Sequence, residues 1–340
     1  MEDQVSSSGQ SDAGESPSDD GAGTQQPKAA TPSGGGAGRW LKRIGLGVLG
    51  LVVVVGGGGG AYAYTLVSAF DESMEKEYDV APLDITASKD PEVIARGKHL
   101  AESLAGCTLP ECHGTDLGGG KVTDVGPLGT ISSPNITPGS IASAYTDGEL
   151  GRLIIHGIRK NGRSIRMMPV TDWNWLPKAD VAAIVSYVRS VPTVDRANPE
   201  MVVGTVGKIL DRRGEFPLDI ARIVKHDALD TAPAPEPTAA YGRFVARLCE
   251  GCHGYGYSGG KIPGTPPDFP IPPNLTPHET GLAGWTYDDF VKMAETRVNK
   301  KGKQLVEFMP TQAILNMNET ERKALWAFIS TLPPKPFGGR

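Results

Sequence analysis

The chain has 340 residues, and its 44 glycines and 28 prolines are too many for one regular α/β domain. Residues 1–38 carry the whole formal net charge of −5, while the 33 basic and 33 acidic residues from Arg39 onward cancel. Because a neutral body lacks the concentrated basic face that binds a phosphate backbone, we expect no nucleic-acid partner. Four cysteines in two close pairs are too few for the disulfide framework of a small secreted scaffold.

The N-terminal region divides into a polar tail and an apolar segment. Residues 1–39 contain almost no large apolar side chains, so burial cannot offset the entropy of ordering them, and we predict a disordered cytoplasmic tail. Residues 40–70 include 27 consecutive uncharged residues, from Ile44 to Phe70. A helix of that length spans about 40 Å, more than the ~30 Å core of a bilayer, which predicts a single transmembrane anchor.

Charges on either side of this segment predict its orientation. Arg39, Lys42 and Arg43 precede it and acidic residues follow it, and the cationic flank normally stays in the cytoplasm. The residues after the anchor are therefore expected outside. Cleavage after Ala63 is the alternative, because Ala61-Tyr62-Ala63 fits a signal-peptidase site, but ordinary signal peptides have only about 15–30 residues.

Between residues 91 and 195 the sequence predicts helices joined by long loops rich in glycine and proline. Asp90-Pro91 is typical of a helix start, with an N-cap followed by proline at the first helical position. Thr146 and Glu149 have the spacing of a capping box, and apolar residues at helical spacing predict a last helix. No alternating strand is evident. Such long loops become reasonable if they wrap a large buried ligand.

The second half of the chain repeats the first. Its landmarks recur in the same order at offsets of 139–141 residues, which composition alone does not produce. The pairs are Cys112-His113-Gly114 with Cys252-His253-Gly254, Gly119-Gly120-Lys121 with Gly259-Gly260-Lys261, Pro134–Pro138 with Pro273–Pro277, and Met168-Pro169 with Met309-Pro310. We therefore predict an all-α soluble part of two tandem domains, residues 91–195 and 237–340, with residues 71–90 as a linker and 196–236 as a connector.

The segment Cys249–His253 fits C-x-x-C-H, the attachment signature of c-type haem. The two thiols of Cys249 and Cys252 form thioethers with the porphyrin vinyl groups, and His253 is then placed under the iron as the proximal ligand. A thioredoxin-like dithiol predicts a βαβ context and does not explain the adjacent histidine. A zinc site needs a fourth ligand, and neighbouring Cys and His side chains rarely converge on one ion.

The first half carries a longer version of this signature, C-x4-C-H, over Cys107–His113. Because the vinyl groups stay where they are, the two extra residues must bulge outward, and Pro110 shapes that loop. A degenerate repeat with a Cys107–Cys112 disulfide and no cofactor is the alternative. The other repeated landmarks favour a second haem, with His113 as its proximal ligand.

A methionine follows each signature at a matched distance. Met168 lies 55 residues after His113, and Met309 lies 56 residues after His253. A lone methionine is more often core filler, but a Met-Pro at the same place in both halves predicts distal thioether ligands to iron. Met167 is the competitor in the first half. Ligation by His and Met raises the reduction potential and leaves no open position, which suits electron transfer.

Other polar and sulfur-containing residues have weaker assignments. For Asn135 and Asn274, in the Pro-Asn-x-Thr-Pro turns, we predict hydrogen bonds to the haem propionates or a role in holding the loop over the haem edge. A pure turn role accounts for them equally well, since Asn readily caps its own backbone. The remaining residues are interpreted as ordinary surface or packing residues: His99, His156, His226, His278, Met293 and Met317.

These motifs, together with Thr-Asp-Gly-Glu-Leu at 146–150 and Gly-Ile-Arg-Lys-Asn-Gly at 157–162, resemble tandem class I cytochrome c domains. They are similar to those of dihaem cytochromes c and of the cytochrome subunits of periplasmic alcohol dehydrogenases. The resemblance covers about residues 91–195 and 237–340. It implies two covalently attached haem c groups and electron carriage on the outer, periplasmic face of a bacterial inner membrane.

The predicted function is therefore that of a membrane-anchored periplasmic dihaem c-type cytochrome. It relays single electrons between respiratory or dehydrogenase partners, and its donor and acceptor are membrane-associated redox proteins. We expect a carrier more than a catalyst. The alternative is a dihaem oxidoreductase similar to cytochrome c peroxidase or thiosulfate dehydrogenase, but such an enzyme needs an open distal position, and the paired Met-Pro motifs argue against one.

Overall fold

A computed structural model describes residues 36–227, 232–263, 265 and 267–340. Within these residues the fold is mostly helical, with a small three-stranded sheet in the first half. The helices are α1 (Gly36–Glu75), α2 (Pro91–Glu102), α3 (Asp147–His156), α4 (Lys178–Ser190), α5 (Thr205–Arg212), α6 (Ile220–Ile223), α7 (Ala239–Val245), α8 (Arg247–His253), α9 (Tyr287–Thr296), α10 (Thr311–Asn316) and α11 (Glu319–Ile329). The strands are β1 (Val122–Asp124), β2 (Gly129–Ser132) and β3 (Val202–Val203).

Helix α1 contains the apolar segment. Its portion Gly38–Glu75 is long and apolar enough to cross a membrane. The helix begins before the predicted anchor and continues past Phe70 through the first residues of the predicted linker. Phe70 and Met74, in its last turns, are buried against Leu218. The predicted tail lies outside the described residues as far as residue 35.

The predicted helix starts are confirmed. The side chain of Asp90 accepts a hydrogen bond from the backbone N–H of Glu92 at 2.9 Å, and proline follows at the first position of α2. Reciprocal capping boxes open α3 and α9, with Thr146 and Thr286 as the N-caps. Each box satisfies two backbone N–H groups that a helix start would otherwise leave unpaired.

The first and last helices of each half cross at a glycine. Helix α2 packs on α4, and α7 packs on α11. A Cβ atom added to Gly97 would lie 1.8 Å from the carbonyl oxygen of Ala183, and one added to Gly242 would lie 1.9 Å from that of Ala324. The backbones approach so closely that only hydrogen fits between them. The same crossing therefore holds each half together.

A small antiparallel sheet is an element that the sequence did not predict. β1 pairs with β2, with Val122 opposite Ser132, and β2 pairs with β3, with Thr130 opposite Val202. Strands of two to four residues are too short to show an alternating pattern, so the expectation of a purely helical fold is corrected to a mostly helical one. Because β3 belongs to the predicted connector, the sheet ties that segment to the first half.

The predicted connector, residues 196–236, is largely folded against the first half. Helix α5 lies within this segment. Asp211 is fully buried and accepts hydrogen bonds from the backbone N–H groups of Leu218 and Asp219 at 2.8 and 3.0 Å. The guanidinium of Arg212 lies 2.6 Å from the carboxylate of Asp211 and 3.1 Å from that of Asp219, and both carboxylates are buried. Paired burial of this kind holds a segment in one arrangement, because losing one partner leaves an uncompensated charge.

The described residues of 59–340 form one compact unit, in which the two halves share a continuous apolar cluster. The indole of Trp175 meets the ring of Phe244 edge to face, with centroids 5.2 Å apart. Nε2 of His99 in α2 lies 2.9 Å from the carboxylate of Glu321 in α11. The division into domains at 195 and 237 remains a prediction, since the core runs across it.

Candidate functional site

The cysteines of the second half lie on one helix. Cys249 and Cys252 are three residues apart in α8, which places both thiols on the same helix face. The helix ends at His253, because Gly254 follows with φ of 79°, a conformation that favours glycine. Both thiols and the imidazole therefore come from the last two turns of one helix.

The cysteines of the first half lie on a series of turns. The backbone N–H of Cys112 donates to the carbonyl of Leu109 at 2.9 Å, and that of His113 donates to the carbonyl of Cys107 at 3.0 Å. Pro110 and Glu111 are exposed. Pro110 and Glu111, the two additional residues, thus bulge outward, as predicted. The hydrogen bond from His113 to Cys107 closes the loop that contains them.

The two histidines have the same orientation. Nδ1 of His113 lies 2.9 Å from the carbonyl oxygen of Pro134, and Nδ1 of His253 lies 2.8 Å from that of Pro273. A carbonyl only accepts hydrogen bonds, so Nδ1 must carry the proton and the lone pair must lie on Nε2. Burial lowers the pKa of both imidazoles, which keeps them neutral. Neutral, anchored imidazoles of this kind are what a metal ligand requires.

The carbonyls that anchor the histidines belong to matched loops. The N–H of Gly119 donates to the carbonyl of His113, and the N–H of Gly259 donates to that of His253, at 2.8 and 2.9 Å. Both glycines have positive φ, and a Cβ atom at either would lie 2.4 Å from the backbone of the proline-containing loop. The Gly-Gly-Lys landmark is therefore a close crossing of two backbone segments beside the histidine.

Asn135 and Asn274 are buried in the same loops. The side-chain oxygen of each accepts from the backbone N–H and the hydroxyl of the threonine two residues later, at 2.7–2.9 Å. Their amide nitrogens donate to Val194 O and Lys335 O, both at 2.7 Å, just beyond the last helix of each half. These bonds occupy the amides, so the loop-holding and turn roles account for them better than a bond to propionate.

The two Met-Pro segments form the same turn. The N–H of Val170 donates to the carbonyl of Met168, and that of Thr311 donates to that of Met309, each at 2.8 Å. The intervening prolines have nearly identical φ and ψ angles, −79° and 60° against −80° and 63°. These angles and hydrogen bonds are those of an inverse γ-turn.

The predicted distal methionines contact the shared core. Met168 and Met309 both pack against the same apolar cluster as Cys107 and Cys249. The competitor Met167 instead contacts the separate cluster around Phe70. Its φ of 61° lies in the left-handed region, which is uncommon for a residue other than glycine. The geometry therefore favours Met168 over Met167 as a ligand.

An apolar cavity separates the attachment helix of the second half from its methionine. Cys249 and Met309 line it, and the remaining wall is apolar, with no polar surface exposed to it. Phe290, Met293 and Leu325 are among these wall residues, so Met293 packs in the cavity as well as on its helix. An iron porphyrin would take covalent bonds from the thiols at its vinyl groups and a sulfur ligand at its iron, so this donor set suits such a group.

The environment of the four thiols argues against a reactive dithiol. Burial, reinforced by the neighbouring thiol, raises the pKa of Cys107 and of Cys249 to about 12. Burial also raises the pKa of Cys112 to about 11 and raises that of Cys252. Thioredoxin-type catalysis needs a thiolate with a lowered pKa. All four cysteines are free, so the Cys107–Cys112 disulfide considered above is not formed.

The structure also reveals groups near the sites that the sequence did not indicate. Asp172 follows the first Met-Pro turn, and burial together with the nearby charge of Glu250 raises its pKa to about 7. The carboxylate of Glu250 accepts a hydrogen bond from the hydroxyl of Tyr257 at 2.8 Å. Asp172 and Glu250 come from opposite halves and meet only because the Val170–Asp172 turn packs on α8. Asp172 and Glu250 lie 78 positions apart in the chain and are not related by the repeat, so no sequence pattern links them.

The remaining histidines lie away from the thioether sites. The interpretation of His226 as a surface histidine is wrong: it is half-buried, and its Nδ1 lies 3.1 Å from Nδ1 of the buried His156. Burial, with His226 as the next cause, lowers the pKa of His156 to about 4. His278 contacts the hydroxyl of Thr280 at 2.9 Å. Each of these histidines has a contact that accounts for it, and His99 pairs with Glu321 as described above.

Paired thiols, an imidazole held by a carbonyl and a facing thioether define a class of protein, the c-type cytochromes. Comparison with known proteins agrees. Residues 239–333, less than a third of the chain, match the family model described as Cytochrome c. A domain of this family implies covalently bound haem c.

Three relatives are cytochrome subunits of dehydrogenases. The chain is 32% identical over 108 residues to the gluconate 2-dehydrogenase cytochrome c subunit of Pantoea cypripedii, which covers 30% of this chain and 24% of the relative. It is 33% identical over 121 residues to the fructose dehydrogenase cytochrome subunit of Gluconobacter japonicus, covering 34% and 24%. It is 30% identical over 112 residues to the alcohol dehydrogenase (quinone) cytochrome c subunit of Gluconobacter oxydans (strain 621H), covering 31% and 23%. The matches thus span about a quarter of the length of each relative.

Proposed function

We propose that the chain is a membrane-anchored dihaem c-type cytochrome that relays single electrons between redox partners. The observation that carries the proposal is the identical anchoring of two histidines, since Nδ1 of each donates to a loop carbonyl at 2.8–2.9 Å and leaves Nε2 to bind iron. The first half reaches this geometry despite its longer signature. A copy that had lost its cofactor would not be expected to retain this anchoring of the histidine.

The proposed ligand sets follow from the geometry of each half. Cys107 and Cys112 would attach the first haem, with His113 as its proximal ligand and Met168 as its distal ligand. Cys249 and Cys252 would attach the second, with His253 and Met309 in the corresponding roles. Haem c, when bound, supplies a reversible one-electron iron couple.

The protein residues hold and tune these ligands. The carbonyls of Pro134 and Pro273 orient the imidazoles and raise the basicity of Nε2. Asn135 and Asn274 tie the loops that supply those carbonyls to the end of each half. The apolar wall of the second site excludes water, and the thioether of Met309 would bind the iron. Exclusion of water and of free substrate from the distal side favours electron transfer over catalysis at that position.

The packing of the two halves supports a relay within the chain. The turn Val170–Asp172 comes directly after the proposed distal segment of the first site, and it contacts α8, the attachment helix of the second. The two sites therefore adjoin through protein rather than through solvent. Adjacent sites of this kind suit a protein that receives an electron at one site and releases it from the other.

The N-terminal helix supports the proposed location. A single pass through a bacterial inner membrane, with the N-terminus in the cytoplasm and the haem-binding halves in the periplasm, agrees with the length of α1 and with the basic residues that precede its apolar segment. Anchoring keeps the protein close to membrane-bound partners and so raises their effective concentration. The dehydrogenases named in the three relatives support a membrane-associated dehydrogenase as the electron donor.

An intact-mass measurement combined with a redox titration of the full chain in detergent tests the proposal. We expect the mass of the polypeptide plus two haems, and two one-electron steps in the titration. A mass equal to that of the polypeptide would contradict the proposal. Fast turnover of peroxide or thiosulfate by the intact protein would favour the dihaem enzyme instead, because it requires an exchangeable distal position.

A further inference from the structure

An exposed apolar patch adjoins the proposed distal ligand of the second half. Phe308 directly precedes Met309 and is 55% exposed, and Val306 is 46% exposed. The ring of Phe308 stacks against that of Phe269, with centroids 5.2 Å apart. Ile271, two residues after Phe269, is 55% exposed. We call these four residues the distal patch. A contiguous group of large apolar side chains on a surface is typical of an interaction site, whereas single exposed apolar side chains are ordinary.

The corresponding face of the first half is covered by the chain itself. At an offset of 141, Ile165 corresponds to Val306 and Met167 to Phe308. Ile165 is only 8% exposed, because Ile220 and Val224 of the connector pack on it. Met167 packs against Leu218, and its N–H donates to the carbonyl of that residue at 3.1 Å. The same face is therefore closed in one half and open in the other.

The chain around the distal patch is basic. The segments 261–271 and 297–308 together contain five basic residues and two acidic ones, whereas the body as a whole is neutral. The basic residues are Lys261, Arg297, Lys300, Lys301 and Lys303, and the acidic ones are Asp268 and Glu307. Lys300 pairs with Asp289 at 2.7 Å, and Arg297 donates to the carbonyls of Val306 and Met309. Lys301 and Lys303 are exposed at the tip of the turn that leads into the patch.

We propose that the distal patch is the docking surface through which the second half exchanges electrons with an acidic redox protein that presents an apolar contact. The inference rests on the proposed function and adds a direction to it: exchange with external partners takes place at the second half, because the connector closes the equivalent face of the first. An apolar centre with a charged margin gives a transient complex that forms quickly and dissociates readily.

Stopped-flow kinetics with the full, haem-loaded chain in detergent test this proposal. The probe is an oxidised, acidic blue-copper protein, mixed with the reduced cytochrome at about 0.01 M and about 1 M ionic strength, where the Debye length is about 30 and about 3 Å. We expect the wild-type rate constant to fall at least tenfold at high salt. The variant Lys301→Glu/Lys303→Glu should lose about tenfold at low salt and little at high salt. Phe308→Ser and Val306→Thr should each lose about fivefold at both salt concentrations.

The matched control is Lys98→Glu/Lys160→Glu, which changes the total charge equally at exposed positions outside the patch. Lys160 lies in the corresponding turn of the first half. This control should stay within about twofold of wild type at high salt and lose clearly less than Lys301→Glu/Lys303→Glu at low salt, because charges outside the contact act only through the long-range field. Docking at the patch is refuted if its variants react at the wild-type rate, or if the control variant slows as much as they do.

The small cation hexaammineruthenium distinguishes failure of the docking proposal from failure of the proposed function. At about 1 M ionic strength, where its charge is screened, it should exchange electrons equally with wild type and with all variants, since a small ion needs no docking surface. Equal rates with this ion but no effect of the patch variants on the copper protein would remove the docking surface and leave the carrier function intact. A chain that exchanges electrons with neither probe overturns both proposals.

Discussion

The attachment segments of the two halves differ in length and in secondary structure, yet their histidines make the same hydrogen bond. The second half uses a helix, α8, whereas the first uses a series of turns with two exposed extra residues. Both imidazoles nevertheless reach a proline carbonyl at 2.8–2.9 Å. The orientation of the ligand is thus set by the downstream loop that supplies the carbonyl, and the segment between the cysteines can vary.

The Met-Pro turns of the two halves are alike, but the surfaces beside them differ in what covers them. Their Met-Pro turns are nearly superimposable in φ and ψ, but the connector covers the surface beside Met168 and leaves that beside Met309 open. Two halves that share landmarks can therefore keep the same local geometry and still differ in which surfaces are exposed. The difference between the two halves therefore lies in the segments that pack around each of them.

The largest expected effect comes from removing the attachment thiols of one half at a time. Cys249→Ala/Cys252→Ala should lower the intact mass by one haem, because no thioether can form, and Cys107→Ala/Cys112→Ala should do the same. Mass spectrometry of the purified full chain checks both. An unchanged mass for the first-half variant would break the comparison, since it would mean that only the helical segment attaches a cofactor.

Closing the helix crossings tests whether both halves depend on the same contact. Gly97→Ala and Gly242→Ala each place a methyl group within 2 Å of a backbone carbonyl, so the helices must separate. We expect each to lower the free energy of unfolding by about 3 kcal/mol, measured by denaturant titration. Lys98→Ala, an exposed change on the same helix as Gly97, should alter it by less than about 0.5 kcal/mol. Equal behaviour of Gly97→Ala and Lys98→Ala would show that α2 does not need the close crossing.

Replacing the thioethers tests the distal assignments. Met309→Ala should leave its haem attached but lower the potential of that haem by on the order of 0.1 V, a modest part of the roughly 0.8 V that axial ligands span. Met168→Ala should do the same for the other haem. The neighbouring Met167→Ala is the control and should leave both potentials unchanged, because Met167 packs on the cluster around Phe70. A redox titration that instead responds to Met167→Ala would reverse the assignment.

The smallest effect concerns a carboxylate at the contact between the halves. Burial beside Glu250 raises the pKa of Asp172 from 3.8 to about 7, so between these values the folded protein keeps a proton that the unfolded chain has released. The free energy of unfolding should therefore fall as the pH rises from about 4 to about 7, and Asp172→Asn should remove that part of the fall. At pH 8 relative to pH 4, the variant should therefore gain stability over wild type in denaturant titrations. The same pH dependence in wild type and variant would show that Asp172 is solvated in the folded protein.

Local signals in the sequence predicted the helix starts and the repeated landmarks correctly. Capping residues act on the backbone within three positions, so Asp90 and Thr146 could be recognised without knowledge of the fold. The bulge at Pro110 could be predicted because it follows from a count of residues between two cysteines that must reach the same ring. These features depend only on neighbours along the chain.

Contacts between distant segments escaped prediction. The pairing of β2 with β3, the burial of His226 against His156 and the meeting of Asp172 with Glu250 all join positions that no motif relates. The role of Asn135 and Asn274 also became clear only when the acceptors beyond the last helices were known. In each case the partner is chosen by packing in three dimensions.

The amino-acid sequence alone determined which residues are repeated, where helices begin and which thiols and imidazoles stand together, because these properties are decided within a few residues. Only the tertiary structure decided that the connector closes the face beside Met168 and leaves the face beside Met309 open to solvent. Burial depends on what else in the chain reaches a surface, and that is a property of the whole packed molecule.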